Sequence, residues 1–334
     1  MARARDLGIA LDGEPGALNA ITDVPGVEVG HCTLIEGDSV RTGVTAIHPR
    51  GRRNHEPVFA GWFSLNGNGE MTGTAWIDES GVLSCPVVLT NTHSVGVAHQ
   101  SVIQWMRREN VANPWLLPVV AETWDGLLND IDGFHVRADH VFQALDLAKP
   151  GPVDEGNVGG GTGMICFGYK GGIGTASRRV GGNSVGALVQ ANHGSKHQLR
   201  LGGVQLSQPS GLPDRGSIIV VLGTDAPMLP HQLKALAKRA ALGLGRTGAV
   251  AALSSGDLFL AFSSGNPLEA RAQDFPVTAL GEERCTPVYE AAVQATEEAI
   301  LNALVAAKTL SGKGGFTVDA ISHEAIREAT RRRP

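Results

Sequence analysis

Uninterrupted apolar runs alternate along this chain with segments whose apolar residues recur at helical spacing. Five aliphatic residues, Ile218 to Leu222, follow directly on Ser217. Such a run predicts a strand that is buried on both faces. Further strands are predicted at 26–35, 43–49, 115–123 and 184–194, and two more within 249–264, joined by a Ser-Ser-Gly-Asp turn.

The helical segments begin and end at residues with clear local roles. Pro230 is suited to the start of one helix, while Thr286 as N-cap and Pro287 at the first helical position would begin the last one. The helices are predicted at 95–109, 137–148, 231–244 and 287–310.

Residues 195–214 are rich in Gly, Pro and Ser and predict an exposed linker. Strand pairs alternating with long helices favour antiparallel sheets covered by helices over a parallel βαβ array.

Composition narrows the class of protein. The chain has 334 residues, of which 42% are hydrophobic and 18% charged, as in globular proteins. A net charge of −5 provides no basic field for nucleic acid, so that partner is not expected. No apolar run is long enough to span a membrane, and the N-terminal apolar run is too short for a signal peptide. We therefore expect a soluble cytoplasmic protein.

The cysteines fit that expectation. They are widely separated in the sequence and form no CxxC pair, so buried reduced thiols are expected rather than disulfides or a metal site. These residues are Cys32, Cys85, Cys166 and Cys285.

Three familiar motifs fail on inspection. The run GGGTG at 159–163 departs from GxGxxG because Met164 stands where the last glycine belongs. The segment GNSVG at 182–186 matches GxSxG, but its serine precedes a strand instead of following one. No HExxH motif is present, and the histidine pairs 193/197 and 135/140 lack the spacing of zinc ligands. We expect neither a metal nor a cofactor.

The Gly216-Ser217 bond indicates a different chemistry, that of a serine nucleophile. It joins a turn at 213–216 to the buried strand. Serine is a weak nucleophile, but a serine at a chain terminus can use its own α-amine, of pKa about 7.7–8.0, as base. Cleavage before Ser217 would create that terminus, and Gly216 has no side chain to hinder the attack. A strand starting there would hold the nucleophile at a sheet edge. An ordinary Gly-Ser turn remains the alternative.

Several segments together carry a family resemblance. They are ITDVPGVEVGH (21–31), TNTHSVG (90–96), LPVVAETWDGLLNDI (117–131), EGNVGGGTGM (155–164), KGGIGTASR (170–178), ALVQANHG (187–194), GSIIVVLGTDAPMLP (216–230) and SSGDLFLAFSS (254–264). The chain resembles the L-aminopeptidase/D-amidase-esterases and β-peptidyl aminopeptidases, which are self-cleaving N-terminal-serine hydrolases. The resemblance covers nearly the whole chain, in the family's motif order.

The resemblance implies a fold and an organisation. The fold would be a four-layer α/β/β/α sandwich, similar to other N-terminal-nucleophile hydrolases but differently connected. Residues 1–334 would form a single catalytic domain that cleaves itself into 1–216 and 217–334. The family also suggests a homo-oligomer, a tetramer.

The resemblance further implies catalytic roles. Ser217 looks like the nucleophile, freed by cleavage after Gly216. Ser255 and Asp257 resemble the Ser-Gly-acid pair that positions and polarises its amine and hydroxyl. Asn192 resembles the amide of the oxyanion hole.

Two more residues stand at positions that resemble the family's substrate-binding residues. Glu122 matches the carboxylate that receives the substrate's free amino group. Trp124 stands where the family's Ala-Glu-Thr-Tyr-Asp-Gly pattern has tyrosine. An indole N–H has a different reach from a hydroxyl, which bears on a transition-state contact or on the substrate range.

Each of these residues also has an ordinary explanation when taken alone. Asn192 could cap a turn before Gly194, residues 255–257 could form a hairpin turn, and Glu122 could be a solvated strand end. The resemblance makes the expected function an autoprocessing serine aminopeptidase. Its partner would be a short peptide, amide or ester with a free, small N-terminal residue.

Two other functions stay open on sequence alone. One is an acyltransferase of the same architecture, resembling the ornithine acetyltransferases, although those use an N-terminal threonine. The other is a binding relative that lost activity at the Trp124 position. The sequence does not separate L-, D- and β-amino acid substrates.

Overall fold

Two β-sheets carry most of the strands in the computed structural model, which describes residues 2–206, 216–268 and 273–331. The strands are β1 (Glu28–Glu36), β2 (Val40–His48), β3 (Val58–Gly67), β4 (Val82–Leu83), β5 (Val87–Asn91), β6 (Val119–Thr123), β7 (Ile165–Cys166), β8 (Tyr169–Lys170), β9 (Gly172–Val180), β10 (Asn183–Asn192), β11 (Arg200–Leu201), β12 (Val204–Gln205), β13 (Ser217–Thr224), β14 (Gly256–Ser263), β15 (Leu310–Ser311) and β16 (Thr317–Val318). The helices are α1 (Thr74–Ser80), α2 (Val95–Arg108), α3 (Ala138–Asp146), α4 (Pro230–Arg246), α5 (Glu282–Ala306) and α6 (His323–Arg331).

The strand order shows that the sheets are mixed. A four-stranded sheet has the order β1-β2-β5-β6, and a six-stranded sheet has the order β4-β3-β14-β13-β10-β9. Most neighbours are antiparallel, as expected. However, β5 and β6 are parallel, and so are β13 and β14. The expected antiparallel pairs thus stand beside two parallel ones, for which α2 and α4 are the crossovers that a parallel pair requires.

Three groups of buried side chains hold four layers together. Trp105 belongs to the group between helices α2 and α3 and the four-stranded sheet. Leu89 and Ile219 belong to the group between the two sheets. Leu236 and Ala295 belong to the group between the six-stranded sheet and helices α4 and α5. The layers run α/β/β/α, which confirms the predicted fold class.

Strand β13 lies inside the six-stranded sheet. All of its residues are buried, as the aliphatic run predicted. Ile219 and Val221 face the other sheet, whereas Ile218 and Val220 face the helices. Side chains alternate along a strand, so Ser217 lies on the face toward the other sheet. The expected sheet-edge position was wrong: β13 is flanked by β10 and β14, and Ser217 starts an internal strand.

The last long helix and the segment before β14 also differ from expectation. Helix α5 begins at Glu282 after Gly281, and Pro287 lies inside it. Glu282 and Glu283 in its first turn interact favourably with the helix dipole, and Cys285 and Val288 are buried against the core. Residues 249–255 are irregular, so 249–264 contains one strand instead of two. Within the predicted turn at 213–216, residues 213–215 lie outside the described residues.

Two further observations concern the described parts of the chain. No helix there combines the length and apolarity that crossing a membrane requires. The four cysteines are free and buried, as predicted.

Candidate active site

Ser217 is the first residue of β13 and is buried, with 5% of its surface exposed. Its Oγ accepts a hydrogen bond of 2.9 Å from the backbone N–H of Gly256, which begins the neighbouring strand β14. Because the hydroxyl accepts this bond, its own proton stays available for transfer to a base. The parallel pairing of β13 with β14 fixes this contact.

Gly216 occupies a position with no room for a side chain. A Cβ built on it would lie 1.4 Å from the backbone oxygen of Asn192. It would also lie 3.2 Å from the Asn192 Nδ2 atom. Only glycine fits this approach, and the peptide bond between Gly216 and Ser217 therefore lies beside the Asn192 amide.

Asn192 ends strand β10 and is the direct cross-strand partner of Ser217. Its Oδ1 accepts a 2.7 Å hydrogen bond from the Ile165 N–H, and its Nδ2 donates a 2.9 Å bond to the Trp124 carbonyl. An amide nitrogen carries two hydrogens, so one more donor remains. Among the described residues, the Asn192 side chain makes these two contacts and does not cap a turn before Gly194.

Ser255 and Asp257 flank Gly256 and are almost fully buried. The Ser255 hydroxyl donates a 2.6 Å hydrogen bond to Asp257 Oδ1, and Asn66 Nδ2 lies 3.2 Å from Asp257 Oδ2. Asp257 stands beside Ile218 in the register of β13 and β14. The pair therefore lies at the start of β14, the strand next to Ser217, and not in a hairpin turn.

Glu122 lies in strand β6 of the other sheet and is 3% exposed, so it is not a solvated strand end. Its carboxylate accepts a 2.9 Å hydrogen bond from the Glu70 N–H and a short one from the Thr92 hydroxyl. Burial raises the pKa of Glu122, and these two hydrogen bonds oppose the shift. A buried carboxylate with spare lone pairs can accept a cationic group.

The segment after β3 connects Glu122 to the Ser217 neighbourhood. A Cβ on Gly69 would lie 3.2 Å from the Gly256 Cα and 3.3 Å from Glu122 Oε1. Met71 pairs with Ala121 in an isolated bridge beside β6. The chain thus crosses from one sheet to the other. Gly69 lies between Glu122 and Gly256, the residue whose N–H binds Ser217 Oγ.

Trp124 contributes its backbone and an exposed ring. Its carbonyl accepts from Asn192, while 38% of the residue is exposed. The ring lies over Gly126, where a Cβ would approach the Trp124 Cζ2 atom to 2.5 Å. The indole therefore covers the turn beyond Glu122, and solvent reaches its outer face.

Several residues at this site carried no role in the sequence interpretation. Asn66 binds Asp257, Gly256 supplies the N–H to Ser217, and Glu70 supplies the N–H to Glu122. Thr92 falls within the TNTHSVG segment, but nothing there indicated a contact with Glu122. Two of these contacts use backbone atoms, which any residue type provides. Within the described ranges, no group of three or more His, Cys, Asp and Glu residues is arranged to hold a metal ion.

The layers and this arrangement define a class of protein, the N-terminal-nucleophile (Ntn) hydrolases. The L-aminopeptidase D-Ala-esterase/amidase from Ochrobactrum anthropi, described as a prototype for the serine aminopeptidases and a variant of the Ntn hydrolase fold, matches with a TM-score of 0.94. It is 46% identical, over 99% of each chain. A beta-aminopeptidase from Burkholderia sp. matches with a TM-score of 0.93 at 48% identity, over 100% of each chain.

The chain belongs to peptidase family S58, whose family model matches residues 19–318. A beta-peptidyl aminopeptidase from Sphingosinicella microcystinivorans is 49% identical, over 97% of this chain and 91% of that protein. Another from Sphingosinicella xenopeptidilytica is 46% identical, over 97% and 90%. The resemblance noted in the sequence is confirmed, and the protein is a hydrolase of the aminopeptidase type.

Proposed function

We propose that this protein is a serine aminopeptidase that first cleaves its own chain after Gly216. It then hydrolyses short peptides, amides or esters with a free, small N-terminal residue through an acyl-enzyme on Ser217. One observation carries the proposal: Ser217 begins an internal strand between Asn192, at the end of β10, and the Ser255–Asp257 pair, at the start of β14.

Self-cleavage would use the crowded Gly216-Ser217 bond. Ser217 Oγ adds to the Gly216 carbonyl carbon, the C–N bond breaks, and the nitrogen takes the hydroxyl proton. The resulting ester is hydrolysed by water, which leaves a free α-amine on Ser217. The closeness of Asn192 Nδ2 to Gly216 supports this step, because the carbonyl oxygen becomes negative during the attack.

Turnover would use the same groups with the new amine as base. The Ser217 amine takes the proton from Oγ, which attacks the substrate carbonyl. The remaining N–H of Asn192 donates to the oxyanion, and the N–H of Gly256 holds Oγ in place. We propose that Ser255 and Asp257, at the start of the neighbouring strand, hydrogen-bond the amine. Asp257 supplies negative charge beside the ammonium that forms.

Substrate selection would depend on Glu122. Its buried carboxylate matches an α-ammonium group, which a blocked amine cannot supply. Relatives named beta-peptidyl aminopeptidase and L-aminopeptidase D-Ala-esterase/amidase support a range of small amine-bearing peptides, amides and esters. We propose that the Trp124 ring borders the pocket and narrows this range.

The other functions considered have less support. The matches reported above are to aminopeptidases and give no support to an acyltransferase or a disabled relative. We also propose a homo-oligomer, a tetramer, as the family resemblance implies. The four free thiols are consistent with the reducing cytoplasm proposed as its location.

Hydrolysis of an alanine anilide by the purified protein tests the proposal. We expect release of alanine and aniline without added metal, and none from Ser217→Ala. Acyl transfer to an added amino acid, with no net hydrolysis, would favour the acyltransferase. Activity that persists in Ser217→Ala would remove Ser217 from the reaction.

A further inference from the structure

Lys170 is a fully buried cation that the reaction described above does not use. It ends strand β8, and none of its surface is exposed. Its Nζ donates to three backbone carbonyls: Met164 at 2.7 Å, Gly171 at 2.9 Å and Gly161 at 3.3 Å. A neutral amine has only two N–H donors, so three acceptors are the partners that an ammonium requires.

Burying this ammonium is costly. Burial lowers the pKa of Lys170 to about 7, and electrostatic interactions with Cys166 and Asp125 oppose that shift. A buried charge costs several kcal/mol, roughly, and carbonyl dipoles alone offset only part of that. An apolar side chain would avoid that cost but would remove a donor from three buried carbonyls, so the ammonium stabilises this turn and also places a positive charge on each carbonyl.

One peptide group links Lys170 to Asn192. The carbonyl of Met164 accepts from the Lys170 ammonium at 2.7 Å. The N–H on the other side of the same planar peptide, that of Ile165, donates to Asn192 Oδ1 at 2.7 Å. The Asn192 amide in turn directs Nδ2 toward Trp124 and Gly216. The three groups form a continuous chain of hydrogen bonds.

Such a row is cooperative. A positive charge on the Met164 oxygen polarises the peptide and makes the Ile165 N–H a stronger donor. The stronger bond withdraws electron density from the Asn192 amide, whose own N–H then donates better to an oxyanion. The bond from the Ile165 N–H also fixes the orientation of the Asn192 amide, with Oδ1 on the side of Ile165.

We propose that Lys170 is a positioning residue whose charge acts through the Met164–Ile165 peptide on Asn192 and strengthens the oxyanion hole. The proposal rests on the proposed role of Asn192. It assigns to the KGG segment a part in turnover that does not require contact with substrate.

A double-mutant cycle tests this coupling. The variants are Lys170→Met, Asn192→Ala and the double variant, assayed with an alanine anilide per mole of free Ser217 terminus. We expect Lys170→Met to lower kcat about tenfold with KM unchanged, since a whole donor is worth about 100- to 1000-fold. In the Asn192→Ala background, Lys170→Met should change kcat less than about twofold, because non-additivity marks coupled residues.

Controls separate this proposal from simpler accounts. Lys196→Met is the matched control: the Lys196 Nζ lies over the Tyr169 ring of the same hairpin, and its removal should leave kcat unchanged. If Lys170→Met does not fold, Lys170→Gln replaces it, since it keeps neutral donors without the charge. Additive losses in the cycle, wild-type kcat in either variant, or failure of both to fold would overturn the proposal. If Asn192→Ala itself keeps full activity, the proposed oxyanion role fails instead.

Discussion

Asn192 and Ser217 are direct partners across strands β10 and β13, with the Asn192 amide turned toward the bond between Gly216 and Ser217. Directly opposed residues hold their Cβ atoms about 4.5–5.5 Å apart. A carbonyl attacked by Ser217 Oγ would therefore lie within reach of the Asn192 N–H. The cross-strand pairing of β10 and β13 itself sets this geometry.

Removing the Asn192 amide should slow catalysis without weakening substrate binding. For Asn192→Ala we expect kcat to fall about 100- to 1000-fold, with KM changed less than threefold by rough estimate. Steady-state kinetics on an alanine anilide measures both constants. A rise in KM at constant kcat would assign Asn192 to binding instead.

A methyl group at residue 216 should block self-cleavage. In Gly216→Ala the new Cβ would lie 1.4 Å from the Asn192 oxygen, so the β10–β13 contact must shift. We expect the variant to remain a single chain on denaturing electrophoresis. Gly245→Ala is the matched control, because a Cβ there meets no atom outside its own helix within 4 Å. Normal processing of Gly216→Ala would mean that this close approach is not needed.

Asp257 and Ser255 should contribute to kcat through the Ser217 amine and hydroxyl. We expect Asp257→Asn and Ser255→Ala each to lower kcat at least about tenfold in folded protein. Thermal unfolding compares the stability of each variant with the parent. Parental rates in both variants would leave the pair as a structural hydrogen bond.

Much of this arrangement could be predicted from sequence, but its long-range pairings could not. The aliphatic run after Ser217 predicted β13, and the motif order identified the family. Periodicity says nothing about which strands pair, so the meeting of Asn192 with Ser217 was not derivable from spacing. The start of α5 was misplaced because Pro287 resembled a first helical residue. The helix in fact begins earlier, at Glu282, with Cys285 and Val288 buried on either side of Pro287. Asn66 and Gly69 reach the site by a chain crossing that no local pattern reveals.

Glu122 should select substrates with a free amino group. A charge-assisted hydrogen bond to an ammonium is worth about 1.5–3 kcal/mol, so Glu122→Gln should lower kcat/KM roughly 10- to 150-fold for an alanine anilide. The N-acetylated anilide should be a poor substrate for the parent and no worse for the variant. Equal losses on both substrates would assign Glu122 a structural or general catalytic role.

The pH profile provides a control for the same residue. Burial raises the pKa of Glu122 above its ordinary value of 4.5. As the pH falls through that raised pKa, the carboxylate is neutralised and KM for the free-amine substrate should rise. Glu122→Gln should lack this acidic rise, whereas an identical rise in the variant would assign it to another group.

The state of the bond before Ser217 tests the central claim most directly. Intact-mass spectrometry and N-terminal sequencing of the active, purified protein should find two chains, 1–216 and 217–334, the second beginning Ser-Ile-Ile-Val. Ser217→Ala should give one uncut, inactive chain. Full activity in a protein that retains the Gly216-Ser217 bond would contradict the account, because Ser217 would then have no free amine to act as its base.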